Sequence, residues 1–278
     1  MNIKKIVGVL MVIFALCIGA NPSVYAQKSE KPQKIAKRLK TKEAKYAAAM
    51  EYYQRGSYLT AAQLFEEIYP LYLSAPEGDT IAYLFADSYF KNNDYLMAAF
   101  HFNDYIRRYP QSPKVEDASF YAAKCYYLNS PTYNLDQSDS KMAIEGLQMF
   151  ISSYPQSKYV EESNQMIDDL RNKLAHKDFS IGCMYYNTER YQAAQVCLQN
   201  MIKEYPNSAY TEEAMFYLVK NSYGYAQNSV ESKKVERYQM VIDNANKLRA
   251  YNEQSKFLEE ADKLAADAKK KRDKILNH

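Results

Sequence analysis

Histidine, cysteine and carboxylate side chains, the groups best able to do chemistry, are scattered along this chain. Its three histidines, His101, His176 and His278, fall on separate predicted elements, and we expect His101 on a helix surface. No combination of histidine, cysteine and carboxylate has the spacing of metal ligands. There is also no glycine-rich phosphate loop and no nucleophile elbow. The sequence therefore predicts a protein that is not an enzyme and that uses neither a cofactor nor a metal.

The cysteines give no chemistry either. Cys125, Cys183 and Cys197 remain once an export signal is removed, and an odd number in an exported protein argues against a disulfide framework. Cys183 and Cys197 flank a predicted turn near Arg190, so in an antiparallel hairpin they could face each other. We expect both to be small packing residues instead.

Residues 1–26 have the pattern of an export signal. Lys4 and Lys5 form a basic start, 6–20 is an apolar run, and 24–26 offers small residues before a cleavage site. The run is short for a membrane span. We therefore expect an exported mature chain that begins at residue 27.

Two features of the N-terminal region bear on membrane attachment. Cys17 is an alternative site of processing, as a lipid-modified cysteine, but Leu16 stands where lipoprotein signals carry a small residue. The segment 27–44 is rich in lysine and is expected to be a basic tether. Because clustered lysines attract anionic head groups, contact with a membrane surface or a partner is the alternative role of this segment.

Composition restricts the class of protein. The formal net charge of +3 includes Lys4 and Lys5, so the predicted mature chain is close to neutral and nothing indicates nucleic-acid binding. Tyrosine is abundant at 28 residues, glycine is scarce at 7 and tryptophan is absent. This composition favours helices packed through tyrosines over sheets with glycine-rich turns.

A repeated sequence motif indicates the fold. Tyr-Pro-Gln-Ser occurs at 109–112 and 154–157, Tyr-Pro-Asn-Ser occurs at 205–208, and an alanine precedes each proline by the same interval. The alanines, with a fourth in a similar setting upstream, are Ala61, Ala98, Ala143 and Ala194. Such periods indicate stacked helical pairs. We predict an all-α fold over 45–276, a right-handed superhelical solenoid of about five tetratricopeptide-like (TPR-like) hairpins.

Individual residues have clear roles in this scheme. Gly56 permits a tight turn in the first hairpin, and each repeated proline ends a helix. The serine two positions after the proline is expected to cap the next helix. Residues 129–140 are an insertion rich in turn formers, 161–186 is one long helix, and a charged final helix caps the array.

The chain resembles a known family. Gly56-Ser57-Tyr58 with Ala61 and Phe65, and Asp94-Tyr95 with Ala98, Phe102 and Pro110, resemble tetratricopeptide repeats. The Tyr-Pro-x-Ser endings, the insertion containing Ser130-Pro131, the long helix after Pro155 and the segment 228–233 extend this likeness to the BamD family of outer-membrane protein assembly factors, most clearly to its Bacteroidetes-type version. The resemblance spans roughly 44–261.

The resemblance implies a non-enzymatic scaffold at the periplasmic face of the outer membrane of a Gram-negative bacterium. The expected partners are the barrel-forming outer-membrane assembly protein with periplasmic repeats, and unfolded β-barrel proteins. It also implies peripheral or lipid-anchored association with the membrane. Family members are typically lipoproteins, and the setting of Cys17 departs from that pattern.

In arrays of this kind the first helix of each hairpin lines a concave side, which gives nine candidate partner-binding residues. They are Tyr46, Met50, Tyr53, Tyr83, Asp87, Phe90, Phe120, Lys124 and Tyr127. Aromatic rings suit an extended barrel strand, and Asp87 and Lys124 could fix its register. On this hypothesis, charge reversal at either residue weakens client binding without unfolding the protein. The alternative is that the tyrosines simply pack between hairpins.

Two rival functions share parts of this pattern. A different periplasmic TPR adaptor, for example one that coordinates cell-wall enzymes, would have the same fold, but the insertion at 130–140 disfavours it. A cell-wall enzyme with a hidden site would need an acid–base or nucleophile set that the sequence lacks, and a negative zymogram would exclude it.

Overall fold

The structure is a computed structural model that describes residues 38–277. The predicted export signal, Cys17, most of the predicted basic tether and His278 lie outside these residues. No helix within 38–277 is long and apolar enough to span a bilayer.

The described residues form eleven α-helices and no strand. The helices are α1 Lys42–Gln54, α2 Tyr58–Ile68, α3 Gly78–Lys91, α4 Tyr95–Arg108, α5 Val115–Asn129, α6 Ser138–Ser153, α7 Val160–Asn187, α8 Tyr191–Glu204, α9 Thr211–Gln227, α10 Glu231–Tyr251 and α11 Leu258–Leu276. A short 3₁₀ turn, Tyr69–Tyr72, follows α2. Each helix packs mainly on the next, which gives five hairpins with α11 as a cap. The predicted all-α TPR-like solenoid is confirmed.

The first helix begins slightly before the predicted domain boundary. Thr41 has an extended backbone, and its hydroxyl accepts the N–H of Ala44, so it is the N-cap of α1. The last residues of the predicted tether, 42–44, are therefore helical.

Three hairpin turns share one backbone conformation. Gly56, Asn93 and Glu189 have positive φ angles of 77°, 61° and 58°, and each stands five residues before a repeat alanine. The next residue donates its N–H to a carbonyl five positions back, as Ser57 does to Tyr52 at 2.9 Å. This is the hydrogen bond of a Schellman turn, in which glycine is the favoured residue.

The left-handed conformation of Glu189 is expected to destabilise the fold, because in this conformation its Cβ is crowded by the backbone. We expect Glu189→Gly to raise the free energy of unfolding by about 0.5–1 kcal/mol, after allowing for the greater freedom of glycine in the unfolded chain. Urea unfolding followed by circular dichroism measures the change. Glu189→Ala, which keeps the Cβ, is the control and should give no gain; an equal gain in both would trace the effect to the lost carboxylate.

The repeated Tyr-Pro phrases end helices as predicted. Tyr109 is the C-cap of α4, and Tyr154 and Tyr205 are the C-caps of α6 and α8. The predicted serine caps are wrong in detail. Ser112 accepts the N–H of Lys114 at 3.2 Å in a turn that precedes α5, because the chain makes this extra turn before the helix begins.

Packing is continuous along the array rather than gathered in one core. The four repeat alanines are all fully buried. Successive clusters join hairpins 1 and 2, then α5 with α6 and the first half of α7, then the second half of α7 with α8 and α9, and finally α9 with α10 and α11. The long α7 therefore closes hairpin 3 with Met166 and Leu170 and opens hairpin 4 with Ala175 and Phe179.

Candidate partner-binding surface

The first helices of successive hairpins form one continuous surface. Helices α5 and α7, α7 and α9, and α9 and α11 touch each other directly, in addition to their hairpin partners. Side chains also join α1 to α3. Because helices on the inner side of a curved array lie closer together than those on the outer side, we place this first-helix surface on the concave side.

The nine candidate residues differ in how much of each side chain is exposed. Seven are half-buried on first helices, with part of the side chain open to a partner: Tyr46, Met50, Tyr53, Tyr83, Phe90, Lys124 and Tyr127. Asp87 is 7% exposed, and Phe120 is fully buried. The partner-binding role stays a prediction, and burial limits the surface available at Asp87 and Phe120.

Phe120 lies between helices instead of facing a groove. Its ring stacks on Tyr159 with centroids 4.1 Å apart and planes 5° apart, and Phe150 lies 5.6 Å away. Tyr159 is also the N-cap of α7. The start of one first helix therefore covers an aromatic ring of the preceding one.

Asp87 takes part in a clasp between α1 and α3. The Tyr53 hydroxyl donates to Asp87, and the Lys91 ammonium lies 2.9 Å from the same carboxylate and 4.5 Å from the Tyr53 ring centroid. Burial, together with the hydrogen bond to Asp87, raises the pKa of Tyr53 to about 12. Burial alone would lower the pKa of Lys91, but its hydrogen bonds to Tyr53 and Asp87 raise it overall.

The same clasp occurs at the far end of the array. Tyr223 of α9 donates to Asp267 of α11 at 2.5 Å, and Lys271 lies 2.7 Å from both the Tyr223 oxygen and the Asp267 carboxylate. Hydrogen bonds to Asp267 and Tyr223 raise the pKa of Lys271. Aspartate and lysine stand four residues apart on one helix in each clasp, a spacing that lets them pair.

A looser version joins α5 to α7. Tyr127 donates to Asp169 at 3.1 Å, but Lys173 turns instead to the hydroxyl of Ser130, at 2.6 Å. Lys177 similarly reaches the carbonyl of Leu135 at 2.6 Å. Two lysines of α7 thus hold the insertion 130–137 against the middle of the long helix.

Sequence reasoning missed these clasps, although a signal was present. Tyr53 and Asp87 are 34 residues apart, and Phe90 and Lys124 share that spacing. A search at this interval for tyrosine followed by aspartate, with lysine four residues later, would have found the first clasp. The interval widens across the insertion and the long helices, so the other two are hidden from a fixed-period search.

Lys124, the second predicted register residue, also has an internal partner. Its ammonium lies 2.6 Å from Glu162 of α7 and 5.3 Å from the Phe120 ring centroid. Both side chains of this pair keep some exposure, at 23% for Lys124 and 44% for Glu162. A partner that uses Lys124 would therefore compete with Glu162.

One groove of the first-helix surface lies near the C-terminal end. It has a volume of about 590 Å³ and is bounded by the end of α7, the start of α8, and α9 and α11. Tyr186, Tyr191 and Tyr223 supply aromatic walls, and Lys220 supplies a cation. A Cβ at Gly224 would meet the Tyr191 ring at 2.8 Å, so glycine at this position lets the Tyr191 ring lie close to α9.

The remaining reactive residue types serve packing. His101, expected on a helix surface, instead stacks on Tyr89 at 5.2 Å, with its Nε2 buried and without a hydrogen-bond partner. Burial lowers the pKa of His101. Cys125, Cys183 and Cys197 are free thiols, as expected for packing residues. Within 38–277 no group of three or more histidine, cysteine or acidic residues could hold a metal ion.

Stacked hairpins with a shared first-helix surface define the class of this protein as a TPR-like helical repeat protein. Residues 38–240 match the model of a family described as YfiO, outer membrane lipoprotein. Because the match covers well over half of the chain, the chain belongs to the YfiO family, whose curated relatives are named BamD.

Curated relatives are similar over a shorter stretch. Outer membrane protein assembly factor BamD of Caulobacter vibrioides is 29% identical over 86 residues, which cover 31% of this chain and 28% of the relative. The protein of the same name from Buchnera aphidicola is 29% identical over 91 residues, covering 33% and 37%. The chain therefore spans about a third of the length of the curated relatives it matches.

Solved structures with some likeness to this chain include two TPR domains. The P58(IPK) TPR domain has 12% identity and a TM-score of 0.39, over 83% of this chain and 66% of that one. The TPR2AB domain of yeast Sti1 has 14% identity and a TM-score of 0.37, over 82% and 98%.

Proposed function

We propose that this chain is a non-enzymatic periplasmic scaffold of the outer-membrane β-barrel assembly machinery. Its partners are the barrel-forming assembly protein with periplasmic repeats and unfolded β-barrel proteins. The observation that carries the proposal is the family match over 38–240, which includes most of the first-helix surface.

The surface has chemistry that suits an extended, amphipathic chain. Half-buried tyrosines line α1, α3 and α5, and aromatic rings offer contact area that tolerates many sequences. Polar groups lie between these rings along the array. The surface thus combines tolerant apolar contact with scattered sites that fix orientation.

Membrane attachment is the second part of the proposal. The chain associates with the inner face of the outer membrane either peripherally, helped by the basic segment 27–44, or through a lipid on Cys17. The intact mass of the purified protein separates the two cases, because cleavage before Gln27 removes Cys17 entirely.

The test is a tagged pull-down from solubilised outer membranes, followed by mass spectrometry. We expect recovery of a barrel protein with periplasmic repeats, at a level well above that obtained with an unrelated tagged periplasmic protein. Recovery of cell-wall enzymes without a barrel protein would overturn the proposal in favour of a periplasmic adaptor.

A further inference from the structure

The chain contains the same network of side chains twice. Helices α5 and α9 carry a phenylalanine, a lysine four residues later and a tyrosine three residues after that: Phe120, Lys124, Tyr127 and Phe216, Lys220, Tyr223. The helices packed on them, α7 and α11, carry an aromatic residue, a glutamate, an aspartate and a lysine at matching intervals: Tyr159, Glu162, Asp169, Lys173 and Phe257, Glu260, Asp267, Lys271.

The two networks make corresponding contacts. Phe216 stacks on Phe257 with centroids 4.9 Å apart, as Phe120 stacks on Tyr159. The lysine lies 5.3 Å from its phenylalanine ring in the first network and 5.4 Å in the second. The tyrosine donates to the aspartate in both. The first half of α7 therefore closes hairpin 3 in the way that α11 closes hairpin 5.

Two contacts differ. Lys173 turns to Ser130, as described above, whereas Lys271 stays with Tyr223 and Asp267. The other difference concerns the lysine beside the phenylalanine. In the first network Lys124 binds the carboxylate of Glu162 at 2.6 Å. In the second, Lys220 has no ion pair within 4.0 Å among the described residues, although Glu260 stands at the equivalent place and is exposed. The Lys220 ammonium instead lies 5.0–5.5 Å from the ring centroids of Tyr186, Phe216 and Tyr217.

The position of the missing contact is the groove of about 590 Å³ described above. Lys220 lines it from a half-buried position, with aromatic rings around its ammonium. Ring faces attract a cation, but they are not strong hydrogen-bond acceptors. The three N–H groups of the ammonium therefore lack a strong acceptor on these rings. A partly desolvated lysine in this setting gains most from an anionic acceptor.

We propose that Lys220 binds the side-chain carboxylate of an aspartate or glutamate on a partner polypeptide that enters this groove. The partner's carboxylate takes the place that Glu162 holds in the first network. That the partner belongs to the assembly machinery rests on the proposed function, whereas the site itself follows from the internal repeat.

The residues that line the groove restrict which partner sequences can bind there. Tyr186, Tyr191 and Tyr223 favour aromatic or apolar residues next to the acid. Glu189 and Glu260 also line the groove, so a run of several acids would be repelled. A single acidic residue between aromatic neighbours fits both conditions.

Three short peptides test the proposal. They are N-acetyl-Tyr-Glu-Tyr-amide, N-acetyl-Tyr-Gln-Tyr-amide and N-acetyl-Tyr-Gln-Tyr with a free C-terminal carboxylate. Titration into the folded protein, with lysines dimethylated by ¹³C-formaldehyde and observed by NMR, reports on each ammonium. We expect the glutamate peptide to shift the Lys220 signal and to bind about tenfold or more tightly than either glutamine peptide.

Lys220→Met keeps the apolar stem and removes the cation, and it should abolish the preference for glutamate. Lys124→Met is the matched control, because its carboxylate partner is already inside the chain, and the preference should persist. Equal binding of the glutamate and amidated glutamine peptides, or an unchanged preference in Lys220→Met, would overturn the proposal. Stronger binding of the free-carboxylate peptide would overturn the assignment to a side chain in favour of a chain terminus.

The pull-down separates this inference from the proposed function. If Lys220→Met recovers the barrel protein as wild type does and also keeps the peptide preference, the Lys220 site is refuted while the assembly role stands. If the wild-type protein recovers no barrel protein, the assembly role fails, and the peptide titration still decides the chemistry of Lys220.

Discussion

Replacing Phe120 with alanine is expected to lower the free energy of unfolding by about 3–5 kcal/mol. The side chain is fully buried, so the substitution removes apolar contacts and leaves a cavity. It also removes the stack on Tyr159 and the contact with Phe150. Chemical unfolding by urea, followed by far-ultraviolet circular dichroism, measures the loss.

Phe100→Ala is the matched control for Phe120→Ala. Phe100 is 63% exposed on α4, so its truncation should change the free energy of unfolding by less than about 0.5 kcal/mol. The contrary outcome is specific: a Phe120→Ala protein with wild-type stability and weakened partner binding would place the Phe120 ring at the interface after all.

The second large effect concerns Asp87. Asp87→Asn keeps the shape of the side chain but removes its charge, and we expect it to lower the free energy of unfolding by about 1–3 kcal/mol. The cause is that the Lys91 ammonium loses its anion, and the Tyr53 hydroxyl loses a charged acceptor. A double-mutant cycle with Tyr53→Phe should show that the two effects are not additive.

Glu51→Gln is the control for Asp87→Asn. Glu51 and Arg55 form an ion pair with both side chains more than half exposed, so its removal should cost less than about 0.5 kcal/mol. If Asp87→Asn unfolds like wild type yet loses client binding, Asp87 acts as a register residue for a partner, as the sequence alone suggested.

The clasps bear on the proposed function because they join the helices that form the first-helix surface. Tyr53, Asp87 and Lys91 link hairpins 1 and 2, and Tyr223 and Asp267 link hairpin 5 to its cap. Asp87 and Lys124, the two charged candidates for partner binding, already contact side chains of a neighbouring hairpin. The half-buried candidate residues are therefore mostly aromatic, and Lys220 is a half-buried cation that has no ion pair within 4.0 Å among residues 38–277.

The sequence by itself determined the helical array. The repeated Tyr-Pro phrase located the ends of α4, α6 and α8, Gly56 marked a turn, and the uninterrupted helical pattern of 161–186 predicted the long α7. These features are local, since a proline, a left-handed residue or an apolar stripe acts on its own helix. Local signals survive without any knowledge of neighbouring hairpins.

Only the tertiary structure decided which candidate residues are exposed. Tyr83 and Phe120 hold equivalent places on α3 and α5, yet the first is half-buried and the second fully buried. The difference comes from the N-cap of the following first helix: Lys114 lies over Tyr83 at 4.7 Å, whereas the Tyr159 ring covers Phe120. Helical periodicity reports which face of a helix is apolar, but the residue that covers a given ring comes from the next hairpin. Its register depends on the insertions between them, so it is fixed only when the hairpins stack.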